Sequence, residues 1–332
     1  MGLLGTPGRS FLWQSLGGGI MWAGYSEATK GIAAVLLACT VWGLSPVYYK
    51  AIAHVPPLEV LSHRTLWSLG IFAVVLLAQR RLAVLVTLVV SDRFWGIALA
   101  ALMISLNWFT YIWSIQVGHG VEASLGYYIF PLVAVLIGML AFGERLSRWQ
   151  GAAVGLAVVA VSVLTYGLGV APWLALLLAT TFALYGLIKK RLNAGPVVSV
   201  TAEVLVLSPL ALGYLISQHW GWFGAGAGHF GQDLRTSAML AFSGVITALP
   251  LMYFSYASRR ITMASLGLAQ YLNPTLQFFC ATLVFGEPFS RWHMAAFALI
   301  WLAVALYSAD LIRQDRARKA VSKAAMSGKT LI

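Results

Sequence analysis

Ionisable side chains cluster where this hydrophobic chain turns between two apolar segments. Glu59 and His63 are four residues apart and share a helix face, and Arg64 lies about 7.5 Å beyond Glu59 along the helix. Together they could bind a charged or zwitterionic solute, and the carboxylate could titrate. The alternative is a set of structural ion pairs, with long cations reaching toward water. The candidates in this group are Lys50, Glu59, His63, Arg64, His119 and Glu122.

A further carboxylate lies in the second half of the chain. Glu203 is the counterpart of Glu59 at a shift of 144 residues. It lies about 9 Å inside an apolar stretch, so it must be paired, protonated or in contact with water. Both a coupling role and a structural role remain open for it.

Amides and aromatic rings within apolar stretches form a second set of solute-binding candidates. Such groups can hold an organic solute by hydrogen bonds and stacking, or they can bind neighbouring helices together. Pro131 and Pro274 would bend their helices and are hinge candidates. The amide and aromatic candidates are Asn107, Trp108, Tyr127, Tyr128, Gln270, Tyr271 and Asn273.

Composition assigns the chain to the membrane. Its 332 residues are 60% hydrophobic and 10% charged, with a mean hydropathy of +0.82. A soluble domain carries about a quarter charged residues. The net charge of +12 comes in short clusters between apolar stretches, which argues against nucleic-acid binding. Cys39 and Cys280 fall inside apolar runs. We expect no metal, no cofactor and no enzyme site, since the sequence has no metal-ligand spacing, phosphate-binding loop or nucleophile motif.

Ten apolar stretches are long enough to span a bilayer, which takes about 20 residues. They predict an all-α integral membrane protein with short connections and a longer loop near 219–236. The predicted spans are 31–50, 58–79, 94–116, 121–141, 149–168, 171–190, 197–218, 237–257, 262–285 and 291–311.

A repeated block of residues predicts that the chain is a duplication. Phe142-Gly143-Glu144-x-x-Ser147-Arg148-Trp149 returns 143 residues later as Phe285-Gly286-Glu287-x-x-Ser290-Arg291-Trp292. Five spans in each copy would insert the second copy inverted relative to the first. We therefore predict a disordered extension at 1–28, repeats at 29–168 and 169–312, and a basic tail at 313–332.

The basic residues predict the orientation. With the amino terminus inside, eighteen of the 22 Lys and Arg residues fall on the inner side, so both termini are expected in the cytoplasm. Gly151-x-x-x-Gly155 permits close helix contact, within one chain or between two, which leaves a monomer and a homodimer open.

These residues carry a family resemblance over about 28–312. The chain resembles the RarD-type branch of the drug/metabolite transporter (EamA) superfamily. The matching elements are Trp42-Gly43, Glu59-x-x-x-His63-Arg64, Asn107-Trp108, Glu122-Ala123-Ser124-Leu125-Gly126-Tyr127-Tyr128 with Pro131, Gly143-Glu144-Arg145, Ser265-Leu266-Gly267, Gln270-Tyr271, Pro274 and Gly286-Glu287.

The resemblance implies ten helices as two inverted five-helix repeats in a bacterial inner (plasma) membrane. It also implies alternating access, with spans 1–4 and 6–9 lining the cavity and spans 5 and 10 outside it. Relatives export amino acids, drugs or metabolites. One departure is Phe130, where relatives can have Asn before the proline; the amide is present only in the second copy, as Asn273.

The expected function is that of a secondary transporter. It would export a small amphipathic or zwitterionic metabolite or drug, with membrane lipids and, as a hypothesis, protons as its other partners. The alternatives are a membrane-embedded enzyme acting on a lipid-like substrate and a non-transporting assembly protein. The first would need a convergent catalytic set, and the second would lack a polar cavity between the repeats.

Overall fold

The computed structural model describes residues 25–142, 146–169, 171–192, 195–221 and 228–328. Every one of the ten predicted stretches contains helix, which confirms an all-α membrane fold. The helices are α1 (Glu27–Ala51), α2 (Pro57–Ala78), α3 (Leu82–Val90), α4 (Phe94–Val117), α5 (Gly120–Phe142), α6 (Arg148–Leu168), α7 (Trp173–Leu192), α8 (Pro196–His219), α9 (Leu234–Ser258), α10 (Met263–Gln270), α11 (Leu272–Phe279) and α12 (Arg291–Gly328).

Eight of these helices are long and apolar enough to cross a membrane: α1, α2, α4, α5, α6, α8, α9 and α12. The apolar part of α7, Trp173–Lys189, is shorter. The ninth predicted span is divided into α10, α11 and a π-helical turn at Cys280–Val284. The nine-residue α3 was not predicted, since it is too short to span a bilayer.

The ends of the chain differ in detail from the sequence prediction. α12 continues to Gly328, so most of the predicted basic tail 313–332 is helical. α1 begins at Glu27, two residues before the predicted start of the first repeat, whereas residues 1–24 lie outside the described part. In the long loop, residues 228–233 precede α9, and residues 222–227 are outside the described ranges. Gly143, Glu144 and Arg145 of the repeated block are outside them as well.

Short polar residues begin several helices by satisfying their first backbone N–H groups. Ser26 accepts from Thr29 at the start of α1, and Ser147 forms a capping box with Gln150 at α6. Asp233 caps α9, where hydrogen bonding from Thr236 lowers the pKa of its carboxyl. Ser147, the first copy of the serine in the duplicated block, therefore has a structural role as a helix cap.

Polar contacts gather at the two ends of the bundle. One end, the histidine end, joins 50–59, 116–122, 228–236 and 285–287 through contacts such as His54–Thr236 and Lys50–Gln116. The other, the arginine end, comprises 25–30, 80–93, 189–192, 258–262 and 310–313, and its contacts include Arg260–Glu27, Arg93–Leu192 and Asp310–Ser147.

The pairs of helices that pack on each other recur when the first half of the chain is exchanged for the second. α1 packs on α9 and α11, and α4 and α5 pack on α7. α2 packs on α8, and α6 packs on α12. Two copies related by a two-fold axis would give this pattern, because each contact recurs with the roles of the copies exchanged. The bundle is apolar outside and polar within: Leu140 and Leu210 are each 74% exposed, while Glu59 and Glu203 are each 1% exposed.

Gly126 allows α5 and α7 to approach closely. A Cβ at this position would lie 2.8 Å from the Ala175 carbonyl oxygen, which is backbone and cannot rotate away. By contrast, a Cβ at Gly151 or Gly155 would have no described residue within 4 Å, so packing among the described helices does not use that motif.

We expect Gly126→Ala to destabilise the protein by about 1–3 kcal/mol through overpacking. Gly151→Ala is the matched control, because it also replaces a helical glycine but meets open space, and it should be neutral or stabilising by about 0.5–1 kcal/mol. Thermal unfolding of the detergent-solubilised variants measures both. Equal melting temperatures for the two variants would contradict the close α5–α7 contact.

Candidate solute-binding site

Arg64 lies at the centre of the bundle, held by side chains from several helices. Its Nε donates to Thr247 Oγ1 of α9 at 2.7 Å, and its Nη1 donates to the Tyr49 hydroxyl of α1 at 2.9 Å. The guanidinium lies over the Trp108 ring of α4, 3.9 Å from the centroid. Two sequence candidates, Arg64 and Trp108, are therefore in direct contact.

A wall of amide and phenol groups adjoins this arginine. Asn107 donates to the Leu178 carbonyl at 2.9 Å and to Thr181 at 3.0 Å, and its Oδ1 accepts from the Tyr127 hydroxyl at 2.8 Å. The Tyr111 ring packs edge-on against the rings of Tyr49 and Tyr127. Asn107 thus ties α4 to α7 and orients the Tyr127 ring, a helix-linking role that sequence alone left open.

Glu59 is paired with the loop that precedes α9. Its Oε1 accepts from the His229 backbone N–H at 2.6 Å, and its Oε2 lies 2.9 Å from His229 Nδ1. His63 stacks on Phe230 of the same loop, with 4.8 Å between ring centroids. The His63 Nε2 atom is buried and has no hydrogen-bond partner among the described residues. Residues 228–230 are therefore held against α2 at the histidine end by these contacts.

Lys50 and Glu122 also lie at the histidine end, with looser partners. Lys50 donates to the Gln116 carbonyl at 3.2 Å, and Glu122 has His119 Nδ1 at 3.9 Å, an i,i+3 neighbour. The carboxylate of Glu287 accepts from the backbone N–H groups of Gly120 and Val121, at 2.9 and 2.8 Å. Glu287, from the repeated block of the second half, therefore caps α5 of the first half.

Glu203 forms a separate cluster toward the arginine end. It is bound by Lys189 at 2.8 Å, by the Tyr185 hydroxyl at 2.9 Å and by Ser199 at 3.0 Å. Every one of these partners belongs to α7 or α8 of the second half. The structure does not bring Glu203 together with the Arg64 group, and its partners favour the structural role.

The ninth predicted span holds the remaining candidates. Tyr271 stacks on Tyr128 with 6.4 Å between centroids, and the Tyr128 hydroxyl lies 2.7 Å from Thr275 Oγ1. Asn273 accepts from Gln277, and Gln270 is partly exposed at the end of α10.

The two hinge candidates have different surroundings. α10 ends at Gln270, four residues before Pro274. It ends there because a proline has no N–H to donate to the Gln270 carbonyl and its ring crowds that carbonyl. α5 stays continuous through Pro131. The counterpart helices thus differ in shape at the shared proline.

Several residues of these clusters were missed at the sequence level. Tyr49, Tyr111, Thr247 and His229 contact the candidates but are separated from them along the chain by up to 183 residues, and Glu287 binds the backbone between His119 and Glu122. Glu287 was marked in the sequence by the duplicated block and by the Gly286-Glu287 element of the family resemblance. Within 25–142, 146–169, 171–192, 195–221 and 228–328, no group of three His, Cys, Asp or Glu residues could hold a metal ion.

Comparison with known proteins identifies the class of protein. Residues 29–166 match the EamA-like transporter family. A solved structure with 19% identity and a TM-score of 0.56, matched over 84% of this chain and 96% of that one, shares the fold.

Closer relatives identify the branch. Protein RarD of Streptomyces exfoliatus is 43% identical over 90% of this chain and 95% of its own length. The Uncharacterized transporter YojE of Bacillus subtilis is 37% identical over 89% and 99%, and Protein RarD of Escherichia coli is 35% identical over 87% and 97%. The chain belongs to the EamA-like transporter family, as a RarD-type membrane permease, and it is not an enzyme.

The pairing of Glu203 can be tested with one substitution. Lys189→Met leaves a carboxylate that is 1% exposed without its cation, and we expect the free energy of unfolding to fall by about 3–5 kcal/mol. Adding Glu203→Gln should recover much of that loss. Thermal unfolding in detergent measures the effect.

Lys30→Met is the matched control. The Lys30–Glu27 pair has a similar separation of 2.9 Å, but its carboxylate is 63% exposed, so water screens the pair and the change should lower the melting temperature far less. Similar losses for both lysine variants, or no recovery in the double variant, would show that burial of the Glu203 pair does not matter.

Proposed function

We propose that this protein is a secondary active transporter that exports a small amphipathic or zwitterionic metabolite or drug by alternating access. The observation that carries the proposal is a polar centre built by both halves of an otherwise apolar bundle. Arg64 of α2 bonds Thr247 of α9, and Asn107 of α4 bonds Thr181 of α7. A solute held there would contact both halves and could be passed between them as they rock.

The two halves act as inverted repeats, with boundaries near 29–168 and 169–312. The exchanged packing partners support this division, since α1 on α9 mirrors α7 on α4. α6 and α12 pack chiefly on each other and lie to the side of the polar centre, so they form the scaffold. The pseudo-two-fold axis then lies in the membrane plane.

The arginine end faces the cytoplasm of a bacterial inner membrane, with both termini on that side. The clustering of Lys and Arg in the segments of that end supports this orientation. The histidine end then faces outward. There Glu287 binds the first N–H groups of α5, and this contact closes the outer face, while Pro131 and Pro274 provide the bending points.

Proton coupling rests on the carboxylates of the site. Glu122 is the strongest candidate, because its one basic neighbour within 4 Å in the described ranges is His119 at 3.9 Å, whereas Glu59 and Glu203 have close partners. A carboxylate with loose contacts can gain and lose a proton without breaking the packing. The transporter acts as a monomer or a homodimer.

The inverted arrangement can be tested with single cysteines. Arg148→Cys and Arg291→Cys replace exposed, duplicated arginines, while the native Cys39 and Cys280 are buried. A membrane-impermeant maleimide should label the Arg148→Cys variant only from the cytoplasmic side and the Arg291→Cys variant only from the other side. Labelling of both variants from one side would reject the inverted repeat and the alternating-access mechanism with it.

Coupling can be tested once a solute has been selected by thermal shift against amino acids, amines and antibiotics. Proteoliposomes should transport that solute faster with an imposed pH gradient, and Glu122→Gln should abolish the stimulation. Glu27→Gln is the control, since Glu27 is exposed at the arginine end. Transport that ignores the gradient in all variants would rule out proton coupling.

A further inference from the structure

Arg64 is the one described cation that is buried, central and without a carboxylate. Its side chain lies about 10 Å along α2 from Pro57, and the residue is 5% exposed. Among the residues with described side chains, no carboxylate oxygen lies within 4 Å of its guanidinium. A buried charge without a partner of opposite sign is costly in a low-dielectric interior.

Each buried carboxylate of the described chain has a basic side chain close by. Glu59 has His229 at 2.9 Å, Glu203 has Lys189 at 2.8 Å, and Asp310 has Arg313 at 3.2 Å. The fold therefore provides a basic partner for each buried acid, whereas the described side chains include no acidic partner for Arg64. This difference indicates that the missing negative charge comes from outside the chain.

The partners that Arg64 does have leave it available for an anion. Thr247, Tyr49 and Trp108 are all neutral, and they fix two N–H groups and one face of the guanidinium. Its Nη2 atom makes no hydrogen bond with the described residues. Each nitrogen of the Nε and Nη1 pair has one neutral partner, so the N–H groups of Nη2 and the second N–H of Nη1 remain to donate to a carboxylate.

The surroundings indicate what else the anion carries. The rings of Tyr49, Trp108, Tyr111 and Tyr127 lie close to the guanidinium or to one another, with centroids of the tyrosine pairs 5.5 to 5.9 Å apart. Aromatic faces and edges of this kind pack well against an apolar or aromatic body. The site thus combines one cation with an aromatic wall.

We propose that Arg64 is the receptor for the carboxylate of an organic anion or zwitterion whose apolar body packs on this aromatic wall. The proposal rests on the proposed transport function and narrows its substrate class. Amines that lack an acidic group are excluded as substrates, because they would add a second positive charge beside Arg64. Neutral amides would leave the charge uncompensated.

The test uses four probes with the purified full chain. Phenylacetate, phenylacetamide and phenethylamine share a ring and a short chain and differ in charge, and sodium chloride tests an inorganic counterion. Calorimetry and thermal shift at constant ionic strength should show binding of phenylacetate alone. Arg64→Gln should weaken the affinity for phenylacetate on the order of 30-fold or more. The affinity of Arg64→Lys should lie between those of the unaltered protein and Arg64→Gln, since lysine keeps the charge but loses the paired N–H donors of the guanidinium.

Arg260→Gln is the matched control. Arg260 also lies over a ring, with 3.5 Å to the centroid of Tyr256, but it pairs with Glu27 at the arginine end. This variant should bind phenylacetate as the unaltered protein does.

Circular dichroism and gel filtration test whether Arg64→Gln is folded. Trp108→Leu provides a second variant, which should weaken phenylacetate binding while the charge of Arg64 is kept.

Four results would overturn the proposal: binding of phenethylamine or phenylacetamide as tight as that of phenylacetate, phenylacetate binding that survives Arg64→Gln, an Arg64-dependent shift by chloride alone, or no binding of phenylacetate. None of these results bears on cysteine labelling at positions 148 and 291. Failure of the anion site and failure of the transport mechanism therefore give different outcomes.

Discussion

A helix bundle in a bilayer must satisfy its polar groups from within, because lipid offers no hydrogen bonds. This constraint explains the arrangement of the buried carboxylates. Glu59 takes both its donors from His229, Glu203 is bound by a lysine, a phenol and a hydroxyl, and Asp310 is bound by Ser147 and Arg313. Each acid therefore joins two segments of the chain, and the bundle depends on these joints.

The same constraint makes the central site a property of the assembled bundle. Arg64 is positioned by α1, α4 and α9, and Asn107 is positioned by α5 and α7. Neither half could fix these side chains alone. The movement of the halves that we propose would change the contacts of these candidate solute-binding groups, and this change would link packing to transport.

Hydropathy predicted the helices well because lipid imposes a minimum apolar length on each of them. The boundaries of α2, α4 and α8 differ from the prediction by a residue or so. The short α3 and the break at Tyr271 were missed, since neither depends on length or overall hydropathy. Glu59, Arg64 and Glu203 could be singled out as charges in apolar stretches, but their partners could not: Thr247 lies 183 residues from Arg64, and His229 lies 170 from Glu59. Only tertiary packing brings such pairs together.

The unequal proline helices have a mechanical consequence. α5 passes Pro131 without interruption, whereas its counterpart is divided at Tyr271 and continues through a π-helical turn. A divided helix bends at lower energy than a continuous one, so the two arms of the carrier differ in stiffness. Under the proposed alternating-access mechanism, this difference in stiffness would favour one of the two orientations in the empty protein. Solute arriving from the opposite side would then bind only when the rarer orientation forms.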